Sequence, residues 1–148
     1  MISGEAWIVS ARPLHADLAQ STLRALQLTG HGASVNHCAY APDNSYLVSA
    51  ASDRSLKIWD ASSGELRKTL QGHLEEVNGC AVSADSLRIA SVSSEGGLKV
   101  WSAVDGRCLM SIQVDGSLTS CTWTDAGYTL AAVGSRGVYF FACREGDG

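Results

Sequence analysis

Two segments of this chain share one skeleton. Gly30-His31 is followed by Trp59-Asp60, and Gly72-His73 is followed at the same distance by Trp101-Ser102. The offset from histidine to histidine equals the offset from tryptophan to tryptophan. It falls within the range of about 40–45 residues in which a repeat is one small supersecondary unit. The match continues between these markers. Leu28-Thr29-Gly30-His31 aligns with Leu70-Gln71-Gly72-His73, Val35-Asn36-His37-Cys38-Ala39 with Val77-Asn78-Gly79-Cys80-Ala81, and Leu56-Lys57-Ile58-Trp59 with Leu98-Lys99-Val100-Trp101. A third, worn copy follows, with Ser111-Ile112-Gln113 in the place of Thr69-Leu70-Gln71 and Cys121 in the place of Cys80. Gly137-Val138-Tyr139-Phe140-Phe141 replaces Gly97-Leu98-Lys99-Val100-Trp101 at nearly the same offset. In this copy Asp115 stands where the histidine should be and Phe141 where the tryptophan should be. A unit of this size cannot bury its own faces, so its copies must stack.

Each copy divides into short runs rich in Val, Ile, Leu, Ala and Ser, separated by turn chemistry. The first copy predicts strands over Val35–Ala41, Tyr46–Ala51, Ser55–Asp60 and Glu65–Gln71. Pro42-Asp43-Asn44-Ser45 and Ala61-Ser62-Ser63-Gly64 form turns between them, where proline presets φ and Asp and Asn fold onto the backbone. The second copy predicts Val77–Ser83, Leu87–Ser93, Leu98–Ser102 and Cys108–Gln113, and the third Leu118–Thr124, Thr129–Gly134 and Gly137–Ala142. Middle runs such as Tyr46-Leu47-Val48 and Leu130-Ala131-Ala132-Val133 are continuously apolar, as in sheets covered on both faces. The expected fold is all-β, with about three consecutive four-stranded antiparallel sheets.

The Gly-His and Trp-Asp markers at this period resemble the WD40 repeat family of β-propellers, and the resemblance covers residues 23–142. Ser34-Val35-Asn36-His37-Cys38 together with Leu56-Lys57-Ile58-Trp59-Asp60-Ala61 is also similar to the propeller repeats of the apoptotic protease-activating factor and related NACHT-type proteins. The family resemblance implies a buried hydrogen-bond network in each well-formed blade. His31, Ser49, Asp53 and Trp59 match it fully in the first copy, and His73, Ser91 and Trp101 match in the second, where Glu95 replaces the aspartate. The third copy has Asp115, Ala132 and Phe141, and lacks the network. A glutamate is one methylene too long for a tight turn, so the second network is expected to be strained or wet. The resemblance also implies a partner-binding face, built from the loops before each inner strand and between the second and third strands. Here those loops supply Ser34, Ser52, Arg54, Glu75 and Glu76, with Asn36, His37 and Asn78 beside them at the channel mouth.

Other chemistry is poorly supported. His31, Ser49 and Asp53 suggest a hydrolytic triad, but the set recurs with the repeat, a tryptophan completes it, and no G-x-S-x-G element accompanies it. No phosphate-binding glycine loop is present, and His15, His31, His37 and His73 share no metal-ligand spacing. No cofactor and no metal are expected. Cys38, Cys80, Cys108, Cys121 and Cys143 form no C-x-x-C pair, and three recur at one repeat position, which reads as reduced, buried thiols in a reducing compartment. The net charge of −4 comes from 11 basic and 15 acidic residues with no basic run, so no nucleic-acid partner is expected. No apolar stretch approaches the ~18–20 residues of a spanning helix, and Met1-Ile2-Ser3-Gly4-Glu5 lacks the basic start of a signal peptide. The expectation is cytoplasmic or nuclear residence.

Propellers close with about 4–8 blades. Two good blades and most of a third leave an incomplete ring. A fragment or short isoform of a larger propeller is the first reading, assembly with further blades in cis or in another chain the second, and an open solenoid the third. Residues 1–22 fit no complete repeat and read as the remnant of an earlier blade, with Trp7-Ile8-Val9 as its third strand. A short helix over Leu14–Leu26 is the alternative. Arg24–Leu28 holds the place of an outer strand and is complementary to the last blade, which lacks one; residues 143–148 are a polar tail. The function expected is a non-catalytic protein–protein interaction scaffold whose partners are other proteins. The alternative is the regulatory propeller segment of a signalling ATPase or ubiquitin ligase subunit whose catalytic part lies outside this chain.

Overall fold

The computed structural model describes residues 5–11, 23–124 and 128–142. Among them every regular element is a β-strand, and no helix is long and apolar enough to cross a membrane. A two-stranded antiparallel hairpin comes first, β1 (Glu5–Ala11) with β2 (Leu23–Thr29). The first full sheet runs β3 (Val35–Tyr40), β4 (Tyr46–Ala51), β5 (Ser55–Asp60) and β6 (Leu66–Gln71), in chain order. The second repeats this with β7 (Val77–Val82), β8 (Arg88–Ser93), β9 (Gly97–Ser102) and β10 (Cys108–Gln113). The third contains β11 (Leu118–Trp123), β12 (Thr129–Gly134) and β13 (Gly137–Ala142). The turn residues therefore place strand boundaries very close to those read from sequence.

Stacking supplies the core, because no single sheet can bury both its faces. Val48, Ala50, Leu56, Ile58 and Leu70 of the first sheet meet Val77, Cys80, Ile89 and Trp101 of the second. Ala90, Val92, Leu98 and Val100 of the second then meet Leu118, Cys121, Leu130 and Ala132 of the third. The inner strand β7 packs between β3 and β11.

The β1–β2 hairpin sits on the first sheet as β6 sits on the second. Leu28 joins Leu47 and Trp59 in a small buried cluster. A Cβ at Gly64 would lie 2.6 Å from Leu26 and 2.9 Å from Leu28, and one at Gly106 would lie 3.2 Å from both Lys68 and Leu70. Both glycines end the turn before an outer strand with φ of +78° and +76°, a conformation that strains a residue with a side chain, and a Cβ at Gly64 would also force the two leucines to shift. The expected clasp between the two ends is not formed. β2 pairs along its whole length with β1, and among the described residues the third sheet ends at β13. The strand reading of Trp7-Ile8-Val9 holds, and residues 23–26 of the alternative helix lie in β2. Residues 12–22 and the polar tail at 143–148 lie outside the described residues.

Candidate functional site

The loops before each inner strand and between the second and third strands meet at one end of the sheets. In the first blade a chain of side chains fastens them. Trp59 Nε1 donates to Ser49 Oγ at 2.8 Å, and Ser49 Oγ lies 2.6 Å from His31 Nε2. His31 Nδ1 lies 2.9 Å from Asp53 Oδ2, which also accepts from the Gly32 amide at 2.9 Å. Ser55 donates its amide and its hydroxyl to Asp53 Oδ1. A neutral imidazole with its proton on Nδ1 satisfies every contact: it donates to Asp53 and accepts from the Ser49 hydroxyl. Burial holds His31 below the usual histidine range, partly offset by Asp53. Burial opposes ionisation of Asp53, but hydrogen bonds from Ser55, Gly32 and His31 bring its carboxyl down to about 2.

The second blade repeats only part of this chain. Trp101 Nε1 donates to Ser91 Oγ at 2.9 Å, and Ser91 Oγ is 2.7 Å from His73 Nε2. Glu95 Oε2 stops 3.9 Å from His73 Nδ1, which has no hydrogen-bond partner among the described residues. The longer side chain folds back onto the amides of Leu74 and Glu75 and the hydroxyl of Ser93. Burial consequently pushes His73 down to about 4, with Glu95 offsetting only part of the shift. In the third blade Tyr139 and Phe141 stack at 6.1 Å, and Asp115 contributes its backbone carbonyl to Tyr139 Oη.

Asn36 and Asn78, read from sequence as channel-mouth contacts, are committed to neighbouring blades. Each is the extra residue of a β-bulge, at the register shift between Val35 and His37 or between Val77 and Gly79. A bulge turns its side chain out of the normal alternation. Asn36 Nδ2 thereby reaches Val77 O at 3.0 Å and Asn78 Nδ2 reaches Leu118 O at 2.8 Å. Ser52 and Ser94 brace the two amides. Thr119 holds the bulge in the third sheet but bonds Val133 O of its own sheet. His37 accepts from the Cys80 amide at 3.3 Å, another link between blades. Ser34, Arg54, Glu75 and Glu76 are exposed on the loops.

The cysteines correct one expectation. Cys80 and Cys121 are buried, and burial raises both thiols, Cys121 to about 12. Cys38, at the same repeat position, is exposed, as is Cys108; Cys143 lies outside the described residues. Cys80 and Cys121 pack with residues of the preceding blade, whereas among the described residues the β1–β2 hairpin alone precedes the sheet of Cys38. Sequence reasoning named the two asparagines but not their inter-blade bonds, because a bulge changes register without changing the hydrophobic pattern.

Stacked four-stranded sheets fastened by a recurring His-Ser-Trp lock define a propeller-type repeat protein. The WD domain, G-beta repeat, matches residues 22–60 and 64–102, more than half of the chain. The chain belongs to the WD40 repeat family. Among similar proteins, "Ribosome assembly protein 4" of Saccharomyces cerevisiae is 44% identical over 50 residues, which are 34% of this chain and 10% of that protein. A "Lissencephaly-1 homolog" of Dictyostelium discoideum is 43% identical over 44 residues, 30% of this chain and 10% of that protein. "WD repeat, SAM and U-box domain-containing protein 1" of Danio rerio is 51% identical over 35 residues, 24% of this chain and 7% of that protein. The matched segments span about a tenth or less of these relatives.

Proposed function

We propose that this chain is a non-catalytic protein-interaction scaffold that contributes WD40 blades to a larger ring, with the further blades in cis or in another chain. One observation carries the reading. Leu56 and Ile58, and their repeats Leu98 and Val100, are buried by the blade that follows them, whereas the third-blade equivalents Val138 and Phe140 are 61% and 75% exposed. At the other end, Cys38 and Tyr40 are exposed where Cys80 is buried. Both ends present surfaces that the intervening blades cover with another copy of the repeat. Ser49 is fully buried and bonded to both Trp59 and His31, so it is a poor nucleophile in position as well as in access.

Sedimentation of the purified chain tests this reading. Association that weakens in a Val138→Ser, Phe140→Ser variant is the expected result, and a strictly monomeric sample with a sharp two-state melt overturns it. The second reading is a regulatory propeller segment of a signalling ATPase or ubiquitin ligase subunit. It draws support from the match to a relative whose name includes SAM and U-box domains. A P-loop domain or a ligase domain in the same full-length transcript would favour it.

A further inference from the structure

The opposite end of the sheets carries a pocket of about 280 Å³ between the first two blades, away from the lock loops. Its lining includes Tyr46 and Ile58, both buried, with Leu87 and Val104 at 53% and 73% exposure. The wall is stiff: Tyr46 Oη donates to Ser86 O at 2.7 Å, and the Asp43 amide donates to Ser86 Oγ at 3.1 Å. The two cations in the lining differ. Arg67 is committed to Asp60 at 2.6 Å and to Ser45 O, with its guanidinium over the Tyr46 ring at 5.9 Å. Lys68 is half-buried, with its stem beside Gly106, and its ammonium makes no hydrogen bond or ion pair among the described residues. An ammonium on a packed stem, unpaired among the described residues and beside exposed aliphatic side chains, is complementary to one carboxylate next to one aliphatic group. Asp43 in the same lining repels a polyanion.

We propose that this inter-blade pocket docks an extended segment of a partner protein that carries an aliphatic side chain adjacent to a glutamate or aspartate. The aliphatic group fills the space over Tyr46 and Ile58 against Leu87 and Val104, and the carboxylate pairs with Lys68. The pocket is built by two complete blades alone, so it is independent of how the ring is closed.

Fluorescence anisotropy of the full chain with a fluorescein-labelled Gly-Val-Glu-Val-Glu-Gly peptide tests the site. Saturable binding is expected, at least 5-fold weaker for peptides with lysine in place of glutamate or serine in place of valine. Lys68→Met keeps the stem packing and removes the charge, and Val104→Ser alters an exposed turn; each should weaken binding at least 5-fold. Ser120→Ala on the third sheet, outside the pocket and without change of charge, should leave it unchanged. Absence of binding, equal binding of the control peptides, displacement by a single-stranded oligonucleotide, or indifference to the variants overturns the proposal. If Lys68→Met loses its β-sheet circular-dichroism spectrum, Val104→Ser decides.

Discussion

His73 and Glu95 face each other across a 3.9 Å gap that His31 and Asp53 close to 2.9 Å. One methylene separates a completed lock from an interrupted one. The unpaired His73 Nδ1 is a buried polar atom, and such atoms cost about 1–3 kcal/mol. Glu95→Asp should therefore stabilise the protein by about 1 kcal/mol, since the shorter carboxylate can copy Asp53 and still reach the neighbouring amides. Urea denaturation checks this, and an unchanged or lower midpoint would mean that the contacts of Glu95 with Leu74, Glu75 and Ser93 outweigh the missing bond.

Burial of His73, only partly offset by Glu95 across this gap, shapes the acid response. His73 falls from 6.5 to about 4 in the folded protein, so the unfolded chain takes up a proton that the folded chain refuses. The folded pKa is depressed, so this contribution is intact above 6.5 and is lost as pH falls from 6.5 towards 4. Its full extent is on the order of 3 kcal/mol. Asp53 acts lower: its stabilisation is present above 3.8 and is lost as pH falls towards about 2. Stability measured at pH 7 and pH 5 should drop for the natural sequence and drop less for Glu95→Asp, which returns an acceptor to His73.

Much of this was legible in sequence. The repeat period and the turn residues fix strand count and order, and the His, Ser, Asp and Trp positions identify the first lock. Given the network that the family resemblance implies, the interruption at Glu95 was legible from the length of its side chain. The inter-blade bonds of the two asparagines were not, because their direction depends on a bulge between Val35 and His37 that leaves the apolar alternation intact. Cys38 departs from its repeat position because burial belongs to the blade in front of a residue as well as to its place in the repeat.

The bulged asparagines yield a sharp comparison. Asn78→Ala removes the donor to Leu118 O and leaves that carbonyl between two packed blades. The expected cost is about 1–2 kcal/mol. Asn36→Ala should behave alike through Val77 O. Thr119→Ala, at the equivalent position but bonded within its own sheet, should cost less than half as much. Equal losses at Asn78 and Thr119 in chemical denaturation would remove the inter-blade bond as the explanation.

Arg54 separates stability from binding. It adopts φ of 74° in the tight turn after β4, where the second repeat has Gly96 at φ of 88°. The left-handed region costs an L-residue about 1–2 kcal/mol, and glycine gives back about 0.4–1 kcal/mol through the entropy of the unfolded chain. Arg54→Gly should therefore stabilise by roughly 0.5–1 kcal/mol. The side chain is exposed on the loop face beside Ser52, so a protein partner engaging that face would meet it. Such a partner should bind the glycine variant more weakly although the fold is firmer. Melting curves and pull-down on the same sample read both quantities. A variant that is more stable and retains every partner would show that the strained arginine serves no contact, and one that is less stable would refute the strain argument.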